Sequence, residues 1–459
     1  MKPQQDDSGK RAAGSLALAP RAIPFPAEQS SLLYAVRHYG GNPLLRFIDL
    51  SRNYPDVVGF RFMGRDIVVI HDLDFIEQIL LSKHALFEKD AFTAELSVVL
   101  GDGLLTSKAE SHRLHRRLIA PSLASAEVSE YVSSFWDCAQ RFISRLEDGA
   151  EIELQSSMMR LTLEVLTETL FGQEFEEFAL LHREMARVMR AFNPWSEALR
   201  GLLPTWVPML SRRDLRVARE RLKGCVQRFV ARKRSAGHRG DLLSRLIAAR
   251  DEGKGLSDED LCDEVLTLMA AGHETTALSL TYAFRLLALH PDVRAQVQAE
   301  VDVFTSTKPS AETLAALSYT HAMFQEALRL YPPAWTLGRQ ALEDCTIAGW
   351  QVKKGYQLMV PWYSIHRHPR WHAEPDEFRP ERFLPAFQES KPPRFAYAPF
   401  GGGPRVCVGL HFAMVEAMTL LAAICQRVQF TLLDTRELPL TPSVTLRPGR
   451  PVRARINLR

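Results

Sequence analysis

Residues 395–418 read FAYAPFGGGPRVCVGLHFAMVEAM and combine a glycine-rich loop, a single cysteine and an apolar run with helical spacing. A thiolate binds metals, and the pKa of a thiol falls at a helix N-terminus and near cations. Cys407 directly precedes a predicted helix over 409–428, and Arg405 lies two residues upstream. The glycines allow backbone N–H groups to turn toward the sulfur. The stretch therefore favours a thiolate that binds a metal centre.

Two other roles for Cys407 stay open on these residues alone. A lone cysteine in a glycine-rich loop is more commonly buried and inert. A nucleophilic cysteine needs a nearby histidine base, and His411 is the local candidate. A thiolate without a second cysteine close by is best suited to a metal whose other ligands come from a cofactor, as in haem.

Composition limits the classes of protein that fit. The 459 residues are 46% hydrophobic and 24% charged, as in ordinary globular proteins, and the net charge of +3 is too small to indicate a nucleic-acid partner. The six cysteines include no CxxC pair, which argues against disulfides and for a reducing, cytoplasmic location. Residues 1–22 are predicted to be a flexible tail, neither signal peptide nor membrane anchor, before one large domain over 23–459.

Hydrophobic periodicity predicts a mainly α fold with a small β portion. Residues 57–72 alternate around a glycine and predict a β-hairpin. Further short strands are predicted at 344–348, 357–361 and 443–457. Helices are predicted at 73–87, 125–147, 156–171, 174–192, 211–235, 241–250, 311–330 and 409–428.

One predicted helix is much longer than the others and contains polar residues at its middle. It begins after Ser257, a good N-cap followed by three acidic residues, and ends at His290 before a proline. About 33 residues at roughly 1.5 Å each span about 50 Å. A threonine there can bond to the carbonyl four residues earlier and only bend the helix. Because Gly272, Glu274 and Thr275 lie at one level, we predict instead a local opening that makes a cavity.

Four motifs resemble those of the cytochrome P-450 family. Phe400–Gly409 is similar to its haem-binding loop, F-x-x-G-x-R-x-C-x-G, at every fixed position. Ala271–Thr276 is similar to its oxygen-activation segment, A-G-x-[DE]-T-[TS]. Glu326 and Arg329 match its E-x-x-R pair, and residues 380–383 match its P-E-R-F segment. The likeness extends from about residue 57 to the C-terminus.

The resemblance implies a soluble bacterial-type haem-thiolate monooxygenase, in which a long central helix lies over haem b. Cys407 would bind the iron, and Glu274 and Thr275 would organise water for proton delivery. The substrate would be an apolar small molecule, such as a terpenoid, steroid, fatty acid or polyketide-like compound, that is hydroxylated or epoxidised with O2. A separate ferredoxin or flavodoxin would supply two electrons to a monomer, since neither end resembles a fused reductase.

The resemblance also assigns roles to residues around the cofactor. Glu326, Arg329 and Arg382 would form a buried network that holds the cysteine loop. An acidic electron donor would dock near Arg113, Arg117 and Arg394. The cofactor would be bound by His112, Arg116, Arg339, Phe400, Arg405, Cys407 and Gly409. The substrate pocket would be formed by Phe92, Leu96, Val99, Phe192, Trp195, Ala271, Ala334, Trp335, Thr336 and Val444.

Two patterns suggest other functions that we consider weaker: a metal site at a histidine cluster and a nucleic-acid-binding surface on a basic stretch. His366, His368 and His372 lie close together, but Pro369 prevents a regular helix that would place two of them on one face. The basic stretch over 211–234 contains ten lysines or arginines and two acidic residues, which is typical of a solvated helix face.

Two other functions compete with the monooxygenase. A haem-thiolate isomerase or dehydratase would rearrange a peroxide without O2, and such branches commonly lose the acid–alcohol pair that Glu274 and Thr275 retain here. A non-catalytic relative would only bind a ligand or a protein, and the complete haem loop argues against it.

Overall fold

The computed structural model describes residues 19–39, 42–62, 64–171, 184, 210–236, 241–304, 308–387 and 392–459. Within these ranges the fold is mainly helical with four small sheets, as predicted. The predicted helix over 174–192 lies outside the described residues, except for residue 184. No helix in the described ranges is long and apolar enough to cross a lipid bilayer.

The helices of the described residues follow one another with short connections. The α-helices are α1 (Leu32–Tyr39), α2 (Pro43–Asn53), α3 (Leu73–Glu77), α4 (Ala91–Glu95), α5 (Ser97–Leu100), α6 (Ala109–Ile119), α7 (Ser125–Ser129), α8 (Val132–Ile143), α9 (Leu154–Phe171), α10 (Leu210–Ala236), α11 (Leu242–Ala248), α12 (Asp258–Leu289), α13 (Pro291–Val301), α14 (Ala311–Ala315), α15 (Ser318–Leu330), α16 (Trp362–Ile365) and α17 (Leu410–Arg427). A π-helix covers Gln78–Ser82, and 3-10 helices cover Ala27–Ser30, His84–Leu86, Ala120–Leu123, Pro380–Phe383, Pro385–Phe387 and Gly403–Arg405.

The strands are short and form four separate sheets. They are β1 (Arg21–Ala22), β2 (Val57–Phe62), β3 (Arg65–Ile70), β4 (Phe87–Glu88), β5 (Glu151–Glu153), β6 (Leu337–Ala341), β7 (Cys345–Ile347), β8 (Trp350–Val352), β9 (Gln357–Val360), β10 (Val428–Leu432), β11 (Leu440–Pro442), β12 (Leu446–Pro448) and β13 (Arg453–Leu458). The largest sheet has the order β2-β3-β9-β6-β4, and its β2–β3 hairpin pairs Val57 with Ile70. The other sheets are β1-β8-β7, β10-β13-β5 and β11-β12.

The long helix α12 is the centre of the hydrophobic core. Ser257 caps it with two reciprocal hydrogen bonds. The N–H of Asp260 donates to the Ser257 hydroxyl, and the N–H of Ser257 donates to the Asp260 carboxylate. Its 32 residues rise over about 48 Å at roughly 1.5 Å each. It packs against α9, α10, α15 and α17. This central position places its middle turns beside the glycine-rich loop that precedes α17.

Several predicted boundaries are wrong. The predicted helix over 73–87 divides into α3, the π-helix, a 3-10 turn and the start of β4, while 125–147 and 311–330 each divide into two helices. The apolar spacing continues across each break, so periodicity alone could not locate it. Arg21 and Ala22, at the end of the segment predicted to be a tail, pair in parallel with β8.

The predicted opening of α12 is also wrong. The helix is continuous through residues 271–276, and the Thr275 hydroxyl donates to the carbonyl of Ala271 at 2.6 Å. Thr281 makes the same bond to the carbonyl of Ala277 at 2.7 Å. Because this local bond satisfies a hydroxyl inside a helix, the polar residues do not break it.

Candidate active site

The loop before Cys407 is held in a backbone shape that requires glycine. Gly401 and Gly403 have φ angles of 71° and 72°, in the left-handed region that glycine adopts without strain. A Cβ on Gly403 would lie 1.8 Å from the carbonyl oxygen of Leu80, in the π-helix. A Cβ on Gly402 would lie 2.4 Å from the ring of Phe395. The loop therefore packs directly on the backbone of the π-helix over Gln78–Ser82.

Cys407 lies at the end of this loop, and its side chain faces a cavity. Its N–H donates to the carbonyl of Phe400 at 3.0 Å, which closes the loop. Burial raises the pKa of the Cys407 thiol, whereas a backbone hydrogen bond from Gly409 and the charge of Arg116 oppose the rise. The same guanidinium donates to the carbonyl of Val406 at 2.7 Å. A metal ion bound in the cavity would favour the thiolate form of Cys407.

The cavity has a volume of about 810 Å³ and lies between α12 and the cysteine loop. Most of its lining side chains are apolar. Phe400, Gly409 and Thr275 line it together with Cys407. Of the predicted pocket residues, Phe192 and Trp195 lie outside the described residues. The others all line the cavity: Phe92, Leu96, Val99, Ala271, Ala334, Trp335, Thr336 and Val444.

Sequence reasoning missed the wall that the β2–β3 hairpin and α2 contribute. Alternation predicted the hairpin, but which of its faces meets the cavity depends on the parallel pairing of β3 with β9, between residues far apart in sequence. The lining residues are Pro43, Arg46 and Phe47 on α2, Phe60, Phe62, Arg65 and Ile67 on the hairpin, and Met359 on the adjacent β9.

Three cations, the buried Lys89 and Arg339 and the half-buried Arg405, converge on one end of the cavity. Lys89, Arg339 and Arg405 all line it, and their charges oppose one another. Burial and the charges of Arg405 and Arg339 lower the pKa of Lys89. Burial, reinforced by Arg405, lowers the pKa of Arg339 to about 10. Asp90 is the acidic residue that lines this end, and it also caps α4.

These cations donate to backbone carbonyls and carry more positive charge than Asp90 balances. Lys89 donates to Leu105, and Arg405 donates to the carbonyl of Ser107 at 3.1 Å. A ligand with two carboxylates at one edge and a metal that accepts a thiolate fits this donor set. Lys89 lies outside every motif in the sequence, so no pattern there pointed to it.

The two predicted cofactor ligands on α6 lie behind the cavity wall. Neither His112 nor Arg116 is among its described lining residues. Burial and the charges of Arg405, Lys89 and Arg116 lower the pKa of His112 to about 3, which keeps its ring neutral. Arg116 is instead bonded to the cysteine loop through Val406.

Glu274 is buried in α12, and its carboxylate is bonded to the C-terminal part of the chain. Its Oε1 accepts from the Thr445 hydroxyl at 2.6 Å and from Nε of Arg447 at 2.5 Å. Glu274 and Thr445 line the cavity as well. The acid and the hydroxyl of Thr275 thus lie beside the same space as Cys407.

The E-x-x-R pair is fully buried and forms a network with the residues around the 3-10 helix over 380–383. Arg329 bonds to Glu326 through Nε at 2.6 Å and Nη2 at 2.8 Å. It also donates to the carbonyls of His366, Pro375 and Glu377. Nε of Arg382 donates to Glu326 at 3.0 Å. Every charge of the network therefore has a partner, which is what burial of an ion pair requires.

The histidine cluster bonds to the backbone around it. His366 Nε2 accepts from the N–H of Ala398 at 3.0 Å, and His372 Nε2 lies 3.0 Å from the carbonyl of Ala396. His368 Nδ1 accepts from the N–H of Arg370 at 3.1 Å. These contacts tie the segment to the start of the cysteine loop.

Comparisons with known proteins agree with this geometry. A family model described as Cytochrome P450 matches residues 24–452. Cyclooctatin synthase from Streptomyces melanosporofaciens is 30% identical over 88% of this chain and 89% of its own length. Pentalenene oxygenase from Streptomyces avermitilis is 29% identical over 90% of this chain and 93% of its own length. The crystal structure of the cytochrome P450DA heme domain has a TM-score of 0.84 and 27% identity, and it covers 96% of this chain and 98% of that one.

Proposed function

The chain belongs to the cytochrome P450 family and is a haem-dependent monooxygenase, and from that premise we propose that it oxygenates an apolar terpenoid with electrons from a separate redox protein. The observation that carries the proposal is one cavity with apolar walls that has Cys407 and Thr275 on its lining. A large apolar compartment with few polar groups suits a rigid hydrocarbon substrate.

The haem would lie between the cysteine loop and α12. Cys407 would bind its iron, and Phe400 and Gly409 would border its ring. Lys89, Arg339 and Arg405 would bind its two propionates, since these cations lie together at one end of the cavity. Haem supplies the activation of O2. The residues of this chain bind the haem and the substrate, exclude bulk water and deliver protons. Arg116 would hold the loop through Val406.

Glu274 and Thr275 would serve proton delivery during oxygen activation. The Thr275 hydroxyl hydrogen is used by the carbonyl of Ala271, which leaves its oxygen free to accept a hydrogen bond from water in the cavity. Glu274 lies beside it with a carboxylate that can take and release a proton.

The names of three relatives support a terpenoid substrate. Besides cyclooctatin synthase and pentalenene oxygenase, cyclooctat-9-en-7-ol 5-monooxygenase from Streptomyces melanosporofaciens is 31% identical over 77% of this chain. Aromatic side chains on α2 and the β2–β3 hairpin extend the apolar wall away from the cysteine. The cytoplasmic location, the monomeric state and the ferredoxin or flavodoxin donor stay predictions.

The test combines spectroscopy with turnover. The reduced CO complex of the wild type should show the strongly red-shifted Soret band of a thiolate-bound haem, and Cys407→Ala should lose it while Cys345→Ala keeps it. With a surrogate reductase, terpene hydrocarbons should shift the spin state of the haem and give oxygenated products. A wild type without that band would refute the haem-thiolate assignment, and a fatty-acid-selective spin shift would refute the terpenoid class.

A further inference from the structure

The carboxylate of Glu274 is held by two residues of the C-terminal hairpin formed by β11 and β12. Thr445 and Arg447 both bond to its Oε1, at 2.6 Å and 2.5 Å. The other oxygen, Oε2, is buried and has no hydrogen-bond partner among the described residues. The two oxygens of one carboxylate therefore have different surroundings.

The ion pair extends from the cavity wall toward solvent. Glu274 is 1% exposed and lines the cavity, whereas the side chain of Arg447 is 21% exposed and is not among its described lining residues. Arg447 thus gives the buried acid a polar connection to the protein surface, through a wall that is otherwise mostly apolar.

The hairpin itself is held firmly against the core. The N–H of Leu446 donates to the carbonyl of Pro333 at 2.9 Å, and the hydroxyl of Tyr282 donates to the carbonyl of Leu446 at 3.0 Å. The indole N–H of Trp335 donates to the carbonyl of Ser443 at 2.8 Å. Because Leu446 lies between Thr445 and Arg447, these bonds fix the position from which both side chains reach Glu274.

We propose that Thr445 and Arg447 are positioning residues: by occupying Oε1 of Glu274 with two donors, they make Oε2 the proton-carrying atom. This inference rests on the proposed function. With Oε1 occupied, a water molecule passes a proton to Oε2 and regains one from solvent, and the new O–H bond converts the carboxylate to a carboxylic acid. The same O–H bond then breaks toward the Thr275 side of the cavity, and the carboxylate is restored without any change in charge or electrons.

Variants at Arg447 separate this role from simple packing. Arg447→Gln should lower the product formed per electron pair several-fold and increase the solvent deuterium isotope effect on turnover, while Arg447→Lys should restore much of both. The substrate-induced spin shift should not change. Arg453→Gln is the matched control, since it removes an exposed pair with Glu151 at 2.7 Å on the C-terminal strand β13, and it should behave as wild type.

The combination with Glu274→Gln decides between the two roles. If Arg447 acts through Glu274, Arg447→Gln should have no further effect on product yield in the Glu274→Gln background. Equal losses in both backgrounds would overturn the proposal. Denaturant unfolding of the same four proteins gives a second readout: the double variant should lose less stability than the sum of the single variants, and strict additivity would also overturn it. A wild-type protein that forms no oxygenated product would refute the proposed function instead. The unfolding measurements on the four proteins would still test whether Arg447 acts through Glu274.

Discussion

Gly403 determines the shape of the loop that carries the thiol. Its φ is 72°, and a Cβ there would meet the carbonyl oxygen of Leu80 at 1.8 Å. A non-glycine residue in this region costs about 1–3 kcal/mol, and the backbone contact adds to it. Gly403→Ala should therefore lower the free energy of unfolding by at least about 2 kcal/mol, measured by urea denaturation.

Gly409→Ala is the matched control for that change. Gly409 has a φ of −89°, and a Cβ there would meet no described atom within 4 Å. The unfolding free energy should be close to wild type, whereas haem content should fall because Gly409 lines the cavity. A stable Gly403→Ala would mean that the loop moves away from the π-helix at little cost.

At the residue scale, the sequence predicts the site residues that lie inside motifs, because residue type and spacing there reflect local chemistry. Cys407, Glu274 and Thr275 line one cavity because α12 and the cysteine loop are neighbours in space. Lys89 and Arg447 could not be predicted, since an isolated cation in a sequence is most often a solvated surface charge. Only the tertiary structure brings Lys89 to Arg405 and Arg447 to Glu274.

At the element scale, the buried network of Glu326 joins α15 to the segment that leads to the cysteine loop. Removal of one partner of a buried ion pair typically costs about 3–5 kcal/mol. Glu326→Gln should therefore lower the unfolding free energy by about that amount, with loss of haem retention. Denaturant unfolding with and without haem measures both.

The pair of Asp434 and Arg436, whose side chains are 30% and 79% exposed, supplies the solvent-accessible control for Glu326. Their contact distance is 2.7 Å, close to the distances in the buried network. Exposed pairs contribute little because water screens them, so Asp434→Asn should barely change stability. A Glu326→Gln protein as stable as Asp434→Asn would show that the network is dispensable.

The middle of α12 gives a test of Thr275. Thr275→Ala should keep its haem and its substrate affinity, because the hydroxyl bonds only to the helix backbone. Proton delivery should fail instead, so that reductant is still consumed while product falls and hydrogen peroxide rises. Product per electron pair and peroxide yield are the measurements.

Thr281→Ala is the control on the same helix. It removes an equivalent hydroxyl bond, at 2.7 Å to Ala277, but Thr281 does not line the cavity. Its coupling should match the wild type. If both variants stay fully coupled, Thr275 does no more than bond to its helix backbone, and the proton assignment is wrong.

A buried His115–Glu264 pair links α6 to α12 and makes stability depend on pH. Nδ1 of His115 lies 2.7 Å from Oε1 of Glu264. Burial lowers the pKa of His115, but the hydrogen bond and charge of Glu264, with smaller contributions from Asp260 and Asp102, raise it overall. Burial also raises the pKa of Glu264. Both shifts mean that the folded pair holds its proton more tightly than the unfolded chain does.

The sign of the pH effect follows from those raised pKa values. The pair's contribution is complete below the ordinary histidine pKa of about 6.5 and is lost as pH rises through the raised folded value. The stability difference between wild type and His115→Gln should therefore be largest below about pH 6.5 and shrink as the pH rises above it. For His321, burial lowers the pKa, so the wild-type advantage over His321→Gln should instead shrink as pH falls. A His115 difference that grows with pH would contradict the pairing.

Elements with strong periodic patterns were predicted well, and their interruptions were not. The β2–β3 hairpin, α12 and α17 are confirmed, because each has a regular apolar spacing and a clear start or stop signal. The π-helix after α3 was missed, although its residues keep helical spacing. This π-helix contacts the glycine-rich loop, which lies near the other end of the chain. The local sequence does not encode such a contact.

At the scale of the whole molecule, the fold separates two sides of the cofactor site. The cavity with its apolar walls lies on the α12 side of Cys407, while α6 reaches the cysteine loop from outside through Arg116. Substrate and O2 would occupy the first side. Electrons would therefore arrive from the second, where α6 exposes Arg113 and Arg117.

Arg113, Arg117 and Arg394 differ in their contacts, and this difference decides which of them is the best variant to test. Arg117 is paired with Asp251 at 2.8 Å, and Arg394 lies 3.6 Å from Glu77. Reversal of either charge would disturb a contact within the protein. Arg113 is exposed on the same face of α6 as Arg117, and no ion pair joins it to a described residue. Arg113→Glu is therefore the cleaner probe of docking.

Arg113→Glu should slow reduction by an acidic ferredoxin or flavodoxin at low salt, because opposite charges steer association and raise its rate more than its affinity. The difference from wild type should fade as salt rises and screens the interaction. Stopped-flow reduction across a salt series measures it. Arg52→Glu makes an equal charge change at an exposed position of α2, and this variant should be reduced at the wild-type rate. Equal rates for wild type and Arg113→Glu at low salt would place the docking surface away from α6, and equal slowing by Arg52→Glu would mean that net charge, and not this face, attracts the donor.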